Sequence, residues 1–232
     1  MEAVVLLSGG LDSTTALALA IKEFGPTNVC TVSFKYGQKH SVEVIQAEKI
    51  ASFYAVAIHT IVELPLIFGG AGSTLIQGGP DNPHTTYKEM QEAEGPSPTV
   101  VPFRNANLLS MATTVAINNN AKWLYYGAHA EDARNWAYPD CTPEFNGAMA
   151  NAIYVGSYHQ VRLVTPFQWI SKADIVKLGI DLGAPYGLTH SCYEGKRPAC
   201  GQCPTCVERL AAFEANGVAD PIEYERSPWL EV

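Results

Sequence analysis

Short apolar runs punctuate the chain at Ala3 to Leu7, Asn28 to Phe34, Ala55 to Val62, Trp123 to Gly127 and Val164 to Phe167. Each predicts a strand. Between them the apolar spacing lengthens to a helical period. Ala16, Leu17, Leu19, Ala20 and Phe24 mark the buried stripe of a helix from about Asp12 to Phe24, which Gly25-Pro26 ends. Further helices are expected through Ala51, from about Ala106 to Asn118, and from the capping residue Ser171 to a stop near Gly183. Apolar strands alternating with helices predict an α/β fold: a doubly wound, mainly parallel, Rossmann-like sheet covered on both faces and joined by right-handed crossovers. Residues 65–98 lose all periodicity and are rich in Gly, Pro, Asn and Ser. They are expected to form an insertion, either an ordinary surface loop or a cover that keeps water from a reactive intermediate. The expected division is an α/β domain over 1–186 with that insertion, and a small C-terminal element over 187–232 packed on it.

Composition narrows the function classes. Of 232 residues 47% are hydrophobic, enough for one well-buried domain and an appendage. Fifteen Lys and Arg against 23 Asp and Glu give a formal net charge of −8, with no basic cluster. A nucleic acid partner is therefore not expected. The chain begins directly in a strand, and no apolar run approaches the length of a membrane span, so a cytoplasmic protein with no membrane partner is expected.

The candidate chemistry begins where the first strand enters the first helix, at Leu7, Ser8, Gly9, Gly10, Leu11, Asp12, Ser13, Thr14 and Thr15. Two glycines leave room for a ligand, and the helix start presents unpaired backbone N–H groups, which together make an anion site. No Walker A pattern is present, and no lysine lies near the turn. The carboxylate of Asp12 at such a turn would serve a nucleotide through Mg²⁺. After the second strand comes Tyr36-Gly37-Gln38-Lys39-His40-Ser41-Val42-Glu43, where a doubly wound sheet places binding residues. Lys39 and His40 either face the ligand or are solvated at a helix start. Arg104, at a loop-to-helix junction, suits a carboxylate or phosphate. Glu131, Asp132 and Asp140 follow the fourth strand as candidates for a donor-rich ligand or a metal ion. Cys30 reads as a small core residue.

Cys192, Cys200, Cys203 and Cys206 form the most specific local signal. Overlapping Cys-x-x-Cys pairs and one earlier cysteine supply four thiolates to a closed tetrahedral Zn²⁺, one per chain, which would be structural. An iron–sulfur cluster and a redox Cys-x-x-Cys pair are the alternatives.

The stretch Ser8-Gly9-Gly10-Leu11-Asp12-Ser13 resembles the pyrophosphate loop of the PP-loop ATP pyrophosphatases, which cut ATP at its α-phosphate. In several of these enzymes a lysine at the position of Lys172 faces the phosphates. Taken with Tyr36-Gly37-Gln38-Lys39-His40, Val101-Pro102-Phe103-Arg104-Asn105, Tyr138-Pro139-Asp140-Cys141, Ser191-Cys192-Tyr193-Glu194-Gly195 and the cysteine run, the order of motifs resembles the 7-cyano-7-deazaguanine synthases along nearly the whole chain. That resemblance implies an ATP-dependent ligase forming a carbon–nitrogen bond. It would turn the carboxylate of 7-carboxy-7-deazaguanine into a nitrile with ammonia, in queuosine and related 7-deazaguanine biosynthesis. Asp12, Arg104 and Lys172 are then the candidate catalytic residues, ATP with Mg²⁺ the cosubstrate, and Asp132 or Asp140 the carboxylate facing the guanine edge. Nothing resembles a glutaminase domain, so free ammonia is expected, and a homodimer is the implied assembly. Two positions depart from the family: Phe103 stands where glycine is usual, and His129 where a smaller residue is more familiar. A tRNA thiolase, with Cys141 as its sulfur carrier, an amidating synthetase and a non-catalytic zinc-knuckle nucleotide-binding module are the other readings.

Overall fold

The computed structural model describes residues 1–39, 42–65, 67–69, 72–82, 89 and 97–226. Among the described residues five parallel strands form one sheet: β1 (Ala3–Leu6), β2 (Val29–Lys35), β3 (Ile58–Glu63), β4 (Trp123–Tyr125) and β5 (Arg162–Val164). Their order is β3-β2-β1-β4-β5, with Val4 opposite Cys30 on one side and Leu124 on the other. Helices α1 (Leu11–Phe24) and α2 (Val42–Phe53) carry the chain outward to β3. Helix α3 (Arg104–Asn118) returns it past β1 to β4. The one-turn α4 (Ala130–Ala133), then α5 (Pro143–Gly156), α6 (Lys172–Asp181) and α7 (Pro204–Ala215) complete it.

The alternation of β1 explains the two-sided core. Ala3, Val5 and Leu7 pack with Leu17 of α1, Ile50 of α2 and Ile175 of α6, whereas Val4 and Leu6 pack with Leu109 of α3 and Ile153 of α5. Burying each such aliphatic side chain stabilises the fold by about 1.5–3 kcal/mol. Strand order reverses between β1 and β4, so the crevice beyond their carboxyl ends is the topological switch point.

Several boundaries differ from the sequence pattern for identifiable reasons. β5 ends at Val164 and does not reach Phe167, because Pro166 has no N–H for a ladder. β4 ends at Tyr125, although the Tyr126 N–H still donates to the Val164 carbonyl at 2.9 Å. β3 starts at Ile58, since Ala55, at φ +50°, still belongs to the turn that closes α2. α3 starts at Arg104, two residues early. Phe103 before it is left-handed, at φ 54° and ψ 23°, a conformation that glycine adopts without cost. α5 has no counterpart in the expected elements. Thr142 caps it and Pro143 opens it, but only Asn146 and Ile153 are fully buried, so no apolar stripe announces it.

Ser171 caps α6 through a capping box with Asp174. In the described part of the 65–98 stretch, Gln38 and Ile76 form an antiparallel bridge, and Asn82 Nδ2 donates to the Tyr193 carbonyl and the Glu194 carboxylate. This segment thus links the end of β2 to the cysteine-bearing loop. In the C-terminal element Arg209 is buried, donates to both oxygens of Asp220, and donates to Thr189 and the Tyr186 carbonyl. Among the described residues no helix is long and apolar enough to cross a membrane.

Candidate active site

The turn between β1 and α1 is shaped by close approach. Gly9 has φ +86°, and a Cβ there would collide with the Glu43 carbonyl of α2. The Ser8 N–H donates to Ser13 Oγ at 3.1 Å, the two hydroxyls lie 3.0 Å apart, and the Gly10 N–H donates to Ser8 Oγ. Gly10 caps α1 without a side chain, leaving the helix start open to an anion. Leu7, Ser8, Gly10, Leu11, Asp12 and Ser13 line a cavity of about 300 Å³ at the switch point. Thr14 and Thr15 turn inward: Thr14 donates to the Gly10 carbonyl, and Thr15 meets Leu11 and Tyr186. Lys39 lines the same cavity, whereas His40 lies outside the described residues.

Four distant segments bring charged side chains together over the start of α1. Lys172 Nζ lies 2.6 Å from Asp12 Oδ2, 3.0 Å from His129 Nε2 and 3.5 Å from Glu208 Oε2. Burial alone would discharge the amine, but Asp12, Glu208 and Asp132 together hold its pKa above the usual value. Burial likewise works against the Asp12 carboxylate, and Lys172 and His129 keep it ionised. The Glu131 carboxylate accepts the Lys172 N–H and sits 3.2 Å from His129 Nδ1. Glu131 thereby braces both the helix and the imidazole.

His129 is 2% exposed, and its Nε2 lies 3.3 Å from Asp132 Oδ2. Burial pushes its pKa down, yet Asp132, then Asp12 and Glu131, outweigh burial and Lys172 and lift it to about 9. Raised above the unfolded value, this pKa contributes stability that is complete below about pH 6.5 and is lost as pH rises through about 9. Between those limits the wild type is expected to lose on the order of 3 kcal/mol more than His129→Asn. Urea unfolding of both proteins across that range checks it, and parallel curves would refute the assignment.

In the same cavity Arg104 donates to the Tyr36 hydroxyl at 3.2 Å, and Glu43 lies near enough to feel its charge. The two acids nominated for the guanine edge are already engaged. Asp132 holds His129, and Asp140, which does not line the cavity, accepts the Asn105 N–H at 2.9 Å near the start of α3. Cys141 lines the cavity, but burial pushes its thiol pKa far up, which disfavours a sulfur-carrying thiolate.

Cys192, Cys200, Cys203 and Cys206 are buried with their Sγ atoms all within 4.8 Å of one another. The Cys200 and Cys206 sulfurs are 3.9 Å apart. A tetrahedral ion with Zn–S bonds of about 2.3 Å spaces its thiolates by roughly 3.8 Å, so the quartet can hold such a metal ion. Two residues past Cys206, α7 delivers Glu208 to Lys172, a role that no local pattern announced because it depends on how α7 packs on α6.

Sheet order, the glycine loop at the switch point and the cysteine quartet define a doubly wound, Rossmann-like protein with an appended element able to hold a metal ion. The structure of NMN synthetase from Francisella tularensis shares the fold, with a TM-score of 0.50, 13% identity, and coverage of 94% of this chain and 77% of that one. The chain belongs to the family described as queuosine biosynthesis protein QueC, whose model matches residues 2–217. A relative from Pseudoalteromonas atlantica is 42% identical over 224 residues, spanning 97% of this chain and 99% of its own. One from Caldicellulosiruptor saccharolyticus is 45% identical over 225 residues, spanning 97% and 96%. Both relatives are described as 7-cyano-7-deazaguanine synthase.

Proposed function

We propose that the chain is a 7-cyano-7-deazaguanine synthase, an ATP-dependent ligase that converts the carboxylate of 7-carboxy-7-deazaguanine to a nitrile with ammonia. The observation that carries this reading is the Lys172 ammonium held 2.6 Å from Asp12 over the phosphate-binding start of α1. A free carboxylate is too poor an electrophile for ammonia, so one of its oxygens must first attack the ATP α-phosphate. The loop N–H groups and the Ser8 and Ser13 hydroxyls align the triphosphate, and Lys172 offsets charge on the departing pyrophosphate. Asp12 Oδ1 has no partner among the described residues and is available to the Mg²⁺ that accompanies ATP. Ammonia then displaces AMP to give an amide. A second activation at the amide oxygen, followed by loss of AMP, leaves the nitrile, each AMP carrying off one oxygen of the original acid.

The cysteine quartet would hold one structural Zn²⁺, which when bound supplies a rigid cross-link and no reaction chemistry. A homodimer belongs to the same reading. Given the amide of 7-deazaguanine, ATP and Mg²⁺, the enzyme is expected to make nitrile without ammonia, with one AMP and one pyrophosphate per product. The acid is expected to require ammonia and to consume two ATP. Chromatography of the nucleotides decides: an amide that binds but is never converted defeats the shared site, and ADP with phosphate contradicts attack at the α-phosphate.

A further inference from the structure

Two complementary groups in the cavity that Lys172 also lines are left with unused hydrogen-bonding capacity. Arg104 carries five N–H donors, and its bonds within the described structure go to the Tyr36 hydroxyl at 3.2 Å and to Asn105 Oδ1 at 3.4 Å. No carboxylate among the described residues lies within 4.0 Å of it. The Glu43 side chain, from the first turn of α2, lines the same cavity and makes no hydrogen bond or ion pair to any described residue. Burial raises its pKa to about 7 against the opposing charge of Arg104. Both side chains are half-buried in the cavity, and unused hydrogen-bonding capacity of both signs on one cavity lining points to a ligand edge carrying both acceptor and donors.

We propose that Glu43 and Arg104 read the base edge of the substrate: Glu43 accepts the ring N–H and the exocyclic amine, and Arg104 donates to the neighbouring carbonyl. This rests on the function proposed above and names the residues that would select a guanine-type ring. The two oxygens of a carboxylate match two adjacent donors, which is what the pyrimidine edge of guanine presents next to its carbonyl. Adenine offers one donor beside an acceptor, and its ring nitrogen would repel the second carboxylate oxygen. The carboxyl to be activated sits on the five-membered ring, away from the two N–H donors, so a base held by this pair keeps its reacting group free for the loop. Asp132 and Asp140 are less suited to this work, since His129 and the Asn105 N–H already engage them.

The test is Glu43→Gln, which breaks no hydrogen bond of the described structure and is expected to leave the melting temperature unchanged. Calorimetric titration of the deazaguanine acid into enzyme with a non-hydrolysable ATP analogue is expected to show affinity falling by about 10²–10³-fold, with affinity for the ATP analogue unchanged. Glu43→Asp, which keeps the charge, is expected to fall between the two. An acid analogue without the exocyclic amine should bind wild type about 10–100-fold more weakly and lose less in Glu43→Gln than the full acid does, because one of the two contacts to Glu43 is already absent while the ring N–H remains. Unchanged affinity for the acid, or a loss confined to the ATP analogue, overturns the proposal. Wild type that binds the ring without turning it over defeats the proposed reaction while supporting the edge reader, and wild type that binds no ring overturns the edge reader itself.

Discussion

Asp12→Asn is expected to lower the rate of pyrophosphate release by about 10²–10³-fold while the protein stays folded. Asparagine matches the shape of the side chain but removes the charge that holds Lys172 Nζ at 2.6 Å and lies near His129. The amine would then relax toward Glu208, now 3.5 Å away, and leave the place where negative charge develops on the departing pyrophosphate. The same substitution removes the carboxylate proposed for Mg²⁺. Stability is affected less than rate, because Glu208 and Asp132 still neutralise Lys172. A loss of about 1 kcal/mol corresponds to a melting shift of about 2–4 °C in a chain of this size. Pyrophosphate release measured beside thermal unfolding separates the two effects. Wild-type turnover in the variant would remove Asp12 from the proposed chemistry.

What the sequence disclosed and what it hid divide by range. The glycine turn, the capped α6 and the cysteine quartet are each written in adjacent residues, because turn conformation, capping and ligand spacing are local requirements. The sheet order could be anticipated in outline, since continuous apolar strands joined by helices leave few arrangements. The charge cluster is different. Asp12 and Lys172 are 160 positions apart, and Glu208 reaches them only because the cysteine-bearing loop sets α7 against α6. Likewise, Glu43 and Arg104 share a wall only after α3 has crossed back over the sheet. α5 stayed hidden for another reason: its glycines and asparagines erase the periodicity, while tertiary packing of Ile153 and capping by Thr142 fix it.

Phe103 and His129 bear on function unequally. Phe103 adopts the left-handed conformation that glycine takes without cost, so the backbone leading into Arg104 keeps a glycine-like path, with the ring exposed and its edge against Phe145. Phe103 therefore shapes the surface beside the cavity more than the course of the chain. His129 instead fills the interior between Asp132, Glu131 and Lys172, adding a positive charge to a group of carboxylates. It thus alters the electrostatics at the amine itself, and the pH comparison with His129→Asn reads this directly.

Cys203→Ala is expected to reduce bound metal from one ion per chain to a small residue and to destabilise the protein by several kcal/mol. A structural zinc contributes on the order of 10 kcal/mol of folding free energy in small zinc modules. Part of that is expected to survive here, because Arg209, Asp220 and Tyr224 hold the element from the other side. Cys203 is the N-cap of α7 and Cys206 lies in its first turn, so losing the Cys203 thiolate from the quartet unties the start of the helix together with the metal site. Glu208 lies on that first stretch of α7, and turnover should therefore fall further than loss of stability alone would cause at a temperature where the variant is still folded. Metal analysis of the purified protein, thermal unfolding with and without a chelator, and a Cys30→Ala control make the comparison. The chelator should lower the wild-type midpoint toward that of Cys203→Ala and leave the variant's own midpoint in place. A variant that lacks metal yet melts with the wild type would show that the quartet holds its ion without supporting the fold.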